Sequence, residues 1–199
     1  MNKHLEEIVR GVAGRLSEAG FKRSGINVRK AIEIGYLTFN FQSSVKSDDT
    51  RLIFTANFLV NDKAVGKWLS HNGYCDSEKF QFRERLGKYK CGTDYWWDWS
   101  LSEDPDLAVK DVSETISYAL SVESDIISDR GLIGLWERGY SPGLTSFMRQ
   151  VCMIAYYESR GDVQNLAHLN YCISQNDESI AERNILIREA TAAVTRIGS

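Results

Sequence analysis

Two stretches, Ile34-Gly35-Tyr36-Leu37-Thr38-Phe39-Asn40-Phe41-Gln42 and Leu52-Ile53-Phe54-Thr55-Ala56-Asn57-Phe58-Leu59-Val60, decide the reading of this chain. Side chains of a β-strand point to opposite faces in turn. In the first stretch Leu37, Phe39 and Phe41 therefore share one face, and Thr38, Asn40 and Gln42 share the other. In the second, Leu52, Phe54, Ala56, Phe58 and Val60 fall together, while Thr55 and Asn57 lie opposite with Ile53 and Leu59. This is the period of half-buried strands, and the polar interval 43–49 between them reads as a turn or short loop.

Working outward, Val28, Ile32 and Ile34 alternate with Arg29, Ala31 and Glu33, so residues 28–34 predict a preceding strand. Residues 80–86 and 95–99 are weaker strand candidates. Four to five short strands joined by short loops imply an antiparallel meander. Upstream, Leu5, Ile8, Val9, Val12 and Leu16 recur at spacings of three and four, an amphipathic helix over 2–19 stopped by Gly20. Downstream the period turns helical. Asp104-Pro105 reads as a cap followed by proline in the first turn, opening a long helix to Gly131 whose apolar stripe is broken at Glu123. A short helix over 132–138, the punctuation Gly139-Tyr140-Ser141-Pro142-Gly143, two further apolar stripes and a final helix over 178–197 complete the chain. In that last helix Ile180, Ile185, Ile187, Ala190 and Val194 are available for burial; before it, Leu166, Leu169, Tyr171 and Ile173 make a stripe. The expected fold is α+β: an N-terminal helix, an antiparallel sheet, then a helical half. Residues 1–131 form the α+β domain and 132–199 a helical extension packed on it.

At 199 residues, 43% apolar and 26% charged, the chain can bury a core and is expected to be ordered nearly throughout. Nothing approaches the roughly 18 apolar residues of a spanning helix, and the acidic start lacks a signal-peptide core, so a cytoplasmic location without membrane contact is expected. Cys75, Cys91, Cys152 and Cys172 stand apart with no C-x-x-C pair and read as reduced thiols. A net charge of −3 argues against bulk nucleic-acid affinity.

Gly20-Phe21-Lys22-Arg23-Ser24-Gly25, the strand ending Asn40-Phe41-Gln42-Ser43-Ser44, and Phe54-Thr55-Ala56-Asn57-Phe58-Leu59 together resemble the bacterial domain-of-unknown-function family 4304. Arg85-Leu86-Gly87 and the pair Trp96-Trp97 fit the later part of the same pattern. The resemblance covers residues 5–125 and implies a bacterial α+β domain without an assigned activity; it brings no functional residues with it. Separately, 155–162 resembles one tetratricopeptide hairpin. Stacked repeats need about three units, so it is read as an ordinary helical hairpin.

Catalytic signatures do not stand out. His71 and Cys75 are four apart and Cys91 and Asp76 could join them, but the turn-forming Asn-Gly between the first two argues against a helix there, so no metal is expected. His4 and His168 read as solvated helix residues. There is no nucleophile elbow, phosphate loop or dinucleotide turn, and no cofactor is expected. Two features remain. In Tyr95-Trp96-Trp97-Asp98-Trp99 a strand puts large aromatics on both faces, which leaves Trp96 to a neighbouring helix or to a partner. The polar sheet face, with Asn40, Gln42 and Asn57 beside Arg29, Thr38 and Thr55 and joined by Arg83 and Arg85, offers amides next to arginines, which suit an anionic ligand, a peptide or a protein loop. Its plain alternative is the wet side of an antiparallel sheet. The expected function is a noncatalytic binding module with a protein partner, one version being an immunity protein that neutralises a basic toxin. The rival is an enzyme using Arg83, Arg85 and a nearby carboxylate. Oligomeric state is left open.

Overall fold

The computed structural model describes residues 2–74, 80–127, 131–175 and 179–198. Helix α1, Lys3–Arg15, is opened by Asn2, whose Oδ1 accepts from the His4 and Leu5 amides. Its buried stripe is the expected one, Leu5, Ile8, Val9 and Val12, joined by Ala13. Then come β1 (Lys22–Ser24), β2 (Asn27–Ile32), β3 (Gly35–Ser43) and β4 (Arg51–Asp62). All pair antiparallel with their neighbours in sequence order. β4 is long enough to carry two partners end to end: β5 (Phe82–Arg85) on its later half and β6 (Trp97–Ser100) on its earlier half.

The sheet has six strands, one more than the sequence led us to expect. The addition is β1, three residues long and too short to show a period. Two helices interrupt the expected run of strands. α2 (Lys63–His71) follows β4 directly, capped by Asp62, and α3 (Leu86–Cys91) follows β5.

Register places the aromatic rings on one face. Phe39 lies opposite Phe58, with ring centroids 5.0 Å apart, and Phe54 stacks on Trp97 at 5.6 Å. α1 and α4 (Pro105–Val122) cover this face, α4 through Val109, Val112, Ile116 and Ala119. α4 ends at Val122 rather than near Gly131; a single 3-10 turn, Ser124–Ile127, follows. Glu123 explains the break. Its carboxylate is buried and accepts the Tyr89 hydroxyl at 2.7 Å, so the side chain faces the protein rather than water. Burial first, and then this bond, push the Tyr89 phenol far above its ordinary pKa.

The second half comprises α5 (Gly131–Glu137), α6 (Ser146–Ser159), α7 (Val163–Ser174) and α8 (Ile180–Gly198). It joins the sheet and α2 at several points. Arg160 pairs with Asp62 at 2.8 Å, Trp68 Nε1 donates to Glu158 at 2.7 Å, and the Arg83 amide donates to the Pro142 carbonyl at 3.0 Å. The last bond closes part of the β5 edge against stray pairing. The apolar core is continuous from Leu5 to Ala193. In α8 the buried residues are Leu186, Ala190 and Ala193; Ile180 and Ile185, expected to be available for burial, are exposed, as is Tyr171 in α7. No helix among the described residues is long and apolar enough to cross a membrane.

Candidate functional site

The face of the sheet opposite the rings is set by the same registers. Asn27 lies opposite Asn40, Asn40 opposite Asn57, and Asn57 opposite Arg85, a single row of polar side chains across four strands. The next row is Arg29, Thr38, Leu59 and Arg83. Opposed residues have Cβ atoms close enough to interact, and here they do. Asn40 Nδ2 donates to Asn27 Oδ1 at 2.8 Å, and Gln42 Nε2 donates to Asn40 Oδ1 at 3.3 Å.

Asn27, Asn40, Gln42, Asn57, Arg83 and Arg85 line a hollow of about 580 Å3, bounded also by Phe80, Leu59 and Glu84. A smaller hollow of about 270 Å3 runs on from it, sharing Asn27 and Phe80 and reaching Arg29, Tyr36 and Asn61. Of the residues that sequence singled out, Asn40, Gln42, Asn57, Arg83 and Arg85 line the larger hollow directly. Trp96 does not line it; it is half-buried beside it, with the Arg85 guanidinium 5.5 Å from its ring centroid. Within the aromatic segment, Trp97 faces the core and donates from Nε1 to Asp111. His71 is exposed; Cys75 and Asp76 lie outside the described residues, and among those described no group of three His, Cys, Asp or Glu could hold a metal ion.

A close backbone approach puts Arg85 and Trp96 together. A Cβ built on Gly87 would stand 2.5 Å from the Tyr95 backbone nitrogen, so only glycine lets α3 touch the segment that leads into β6. Thr55 is covered by that segment and donates to the Tyr95 carbonyl at 3.2 Å.

Asn57 is 8% exposed and lines the hollow. Its neighbour Arg85 has a buried Nη1 without an acceptor. A buried donor costs about 1–3 kcal/mol if left unmet. Both residues belong to the same hollow.

Charge on this face is positive. Arg29 lies over the Tyr36 ring at 3.9 Å and Lys63 over the same ring at 4.6 Å, and Arg83 is exposed with no ion-pair partner among the described residues. The acids nearby are occupied. Glu84 holds Lys88 Nζ at 2.5 Å, and that hydrogen bond pushes the lysine above its ordinary pKa. Asp94 stands 3.7 Å from Arg85 Nε in a solvent-exposed pair, a weak interaction. The arrangement donates hydrogen bonds and offsets negative charge; its carboxylates are poorly placed to act as a free base.

Sequence reading missed Asn27 and Phe80. Asn27 was within reach: if residues 33–34 are the hairpin loop, counting back along both strands sets it opposite Asn40. Phe80 carries no local signal of its place.

Fold and site together define a class: an α+β domain whose antiparallel sheet buries its aromatic face under helices and turns a row of amides and arginines outward. The family model for DUF4304, a domain of unknown function, matches residues 12–122, and the chain belongs to that family. All six candidate residues fall inside the match. No curated protein and no solved structure matches the chain.

Proposed function

We propose that this chain is a noncatalytic binding module of the bacterial cytoplasm that holds a carboxylate-bearing segment of a protein partner on the polar sheet face. The observation that carries this reading is the unmet donor Arg85 Nη1 on β5, whose residue lies opposite Asn57 of β4 and lines the same hollow. A carboxylate accepts several hydrogen bonds at once, and arginine meets it in a fork. Two connected hollows along the sheet suit an extended segment better than a compact small molecule, and the amide row is matched to peptide groups. Free thiols at Cys91 and Cys172 fit a reducing compartment. The positive charge of the face suits an acidic segment rather than the basic toxin of an immunity role.

The test is NMR observation of Asn and Gln side-chain amides during titration with a short Gly-Asp-Gly peptide and its Gly-Asn-Gly counterpart, both blocked at their ends. The aspartyl peptide should shift the Asn40 and Asn57 amides, the asparaginyl peptide should not, and Arg85→Gln should abolish the difference. Shifts that are equal for the two peptides, or that fall away from the row, would refute the proposal.

A further inference from the structure

A second hollow lies in the helical half, beyond the residues matched by the family. Residues of α5, α6 and α7 line about 400 Å3, toward the low end of volumes that hold small organic ligands. Trp136, Met153 and Leu169, all buried, give it apolar walls. Its cation is Arg149, in the first turn of α6. Arg149 Nη1 donates to the Gly139 carbonyl at 2.9 Å. Gly139 has φ +80°, and a Cβ there would lie 3.3 Å from that same nitrogen, so the turn favours glycine and leaves the guanidinium room.

Thus one end of the guanidinium is anchored and the rest is not. Arg149 Nε is buried without an acceptor, and no carboxylate among the described residues pairs with the side chain. The acid that shares the hollow, Glu137, accepts the Tyr157 hydroxyl at 2.8 Å. An anchored, unpaired arginine beside an apolar trough is the complement of a molecule with one carboxylate and an apolar body. We infer that the hollow between α5, α6 and α7 binds a small amphipathic carboxylate, its acid on Arg149 and its apolar body against Trp136, Met153 and Leu169. This site is separate from the sheet face and does not depend on that reading.

The experiment titrates the full chain with 4-phenylbutyrate and, separately, with 4-phenylbutan-1-ol, the same body without charge. Calorimetry gives the affinities and backbone amide NMR the location. The acid should bind at least about tenfold more tightly than the alcohol and shift amides of α6 and α7. Arg149→Met, which keeps length and removes charge, should bring the acid down to the alcohol's affinity. Cys172→Phe, at the exposed rim, should weaken both and serves if the first variant does not fold. Equal binding of acid and alcohol overturns the assignment, as do shifts confined to the sheet face or no saturable binding of either compound at millimolar concentration.

Discussion

Replacing Asp62 with alanine removes three attachments made by one buried carboxylate. Oδ1 accepts from the Ala64 and Val65 amides at 2.9 and 3.1 Å, capping α2, and Oδ2 meets Arg160 Nη2 at 2.8 Å. Loss of an N-cap to alanine costs about 0.5–2 kcal/mol. The ion pair lies between two limits, since Asp62 is 1% exposed but Arg160 is 31% exposed. Exposed pairs contribute about 0–1 kcal/mol, whereas stranding a buried partner costs about 3–5. Arg160 keeps its place over the Tyr156 ring, 3.6 Å from the centroid, and can rehydrate, which puts its share at about 1–2 kcal/mol. The total is about 1.5–4 kcal/mol, and for a chain of this size each kcal/mol lowers Tm by about 2–4 °C. Thermal denaturation followed by circular dichroism should therefore show a drop of roughly 3–16 °C for Asp62→Ala. Asp62→Asn keeps a competent cap and loses the charge, so it should fall by the ion pair's share alone, about 1–2 kcal/mol, and by less than the alanine variant. A loss under about 2 °C for the alanine variant, or equal losses for both, would refute the reasoning.

Two further outcomes follow from the same geometry. Burial alone would raise the Glu158 carboxyl, but hydrogen bonds from Arg196 and then Trp68 outweigh it and hold the pKa below its ordinary value. Its stabilising share is therefore present above the unfolded value and lost as pH falls through the folded one; Tm measured from neutral pH down through the carboxylate range should fall less steeply for Glu158→Gln, and parallel curves would count against this. Gly87→Ala should cost about 1–3 kcal/mol by overpacking against Tyr95 and should move Trp96 off Arg85, seen as a lower Tm together with a shifted tryptophan emission; an unchanged spectrum and Tm would deny that contact its role.

The two sheet faces were legible because alternation is local: Phe39 and Asn40 announce opposite sides without knowledge of any partner. The polar candidates could be gathered for the same reason, yet their order across the strands depends on register. That is why Asn27, at the head of the row, was overlooked. What stayed illegible rests on distant contacts. Glu123 looked like a flaw in a helical stripe until Tyr89 supplied its donor. The nine residues of α2 offered only Val65, Trp68 and Leu69 as a stripe, directly after a strand. Arg85 and Trp96 meet through the Gly87–Tyr95 approach, which no spacing announces. In α8 both Ile185 and Leu186 are apolar; the face turned inward is the one bearing Leu186, Ala190 and Ala193, chosen by the neighbouring helices.

Register in this sheet is held by rings on one side while the amides and arginines stand on the other. A one-residue slip would turn Phe39 and Phe58 out to solvent, so the rings act as an index that keeps the polar row aligned whatever that row contains. The outward positions are consequently free to be rewritten. Exchanging Asn40, Asn57 or Arg85 for other side chains would alter the chemistry of this surface without disturbing the alignment that presents it. The domain is a chassis whose outer face can be retooled one row at a time.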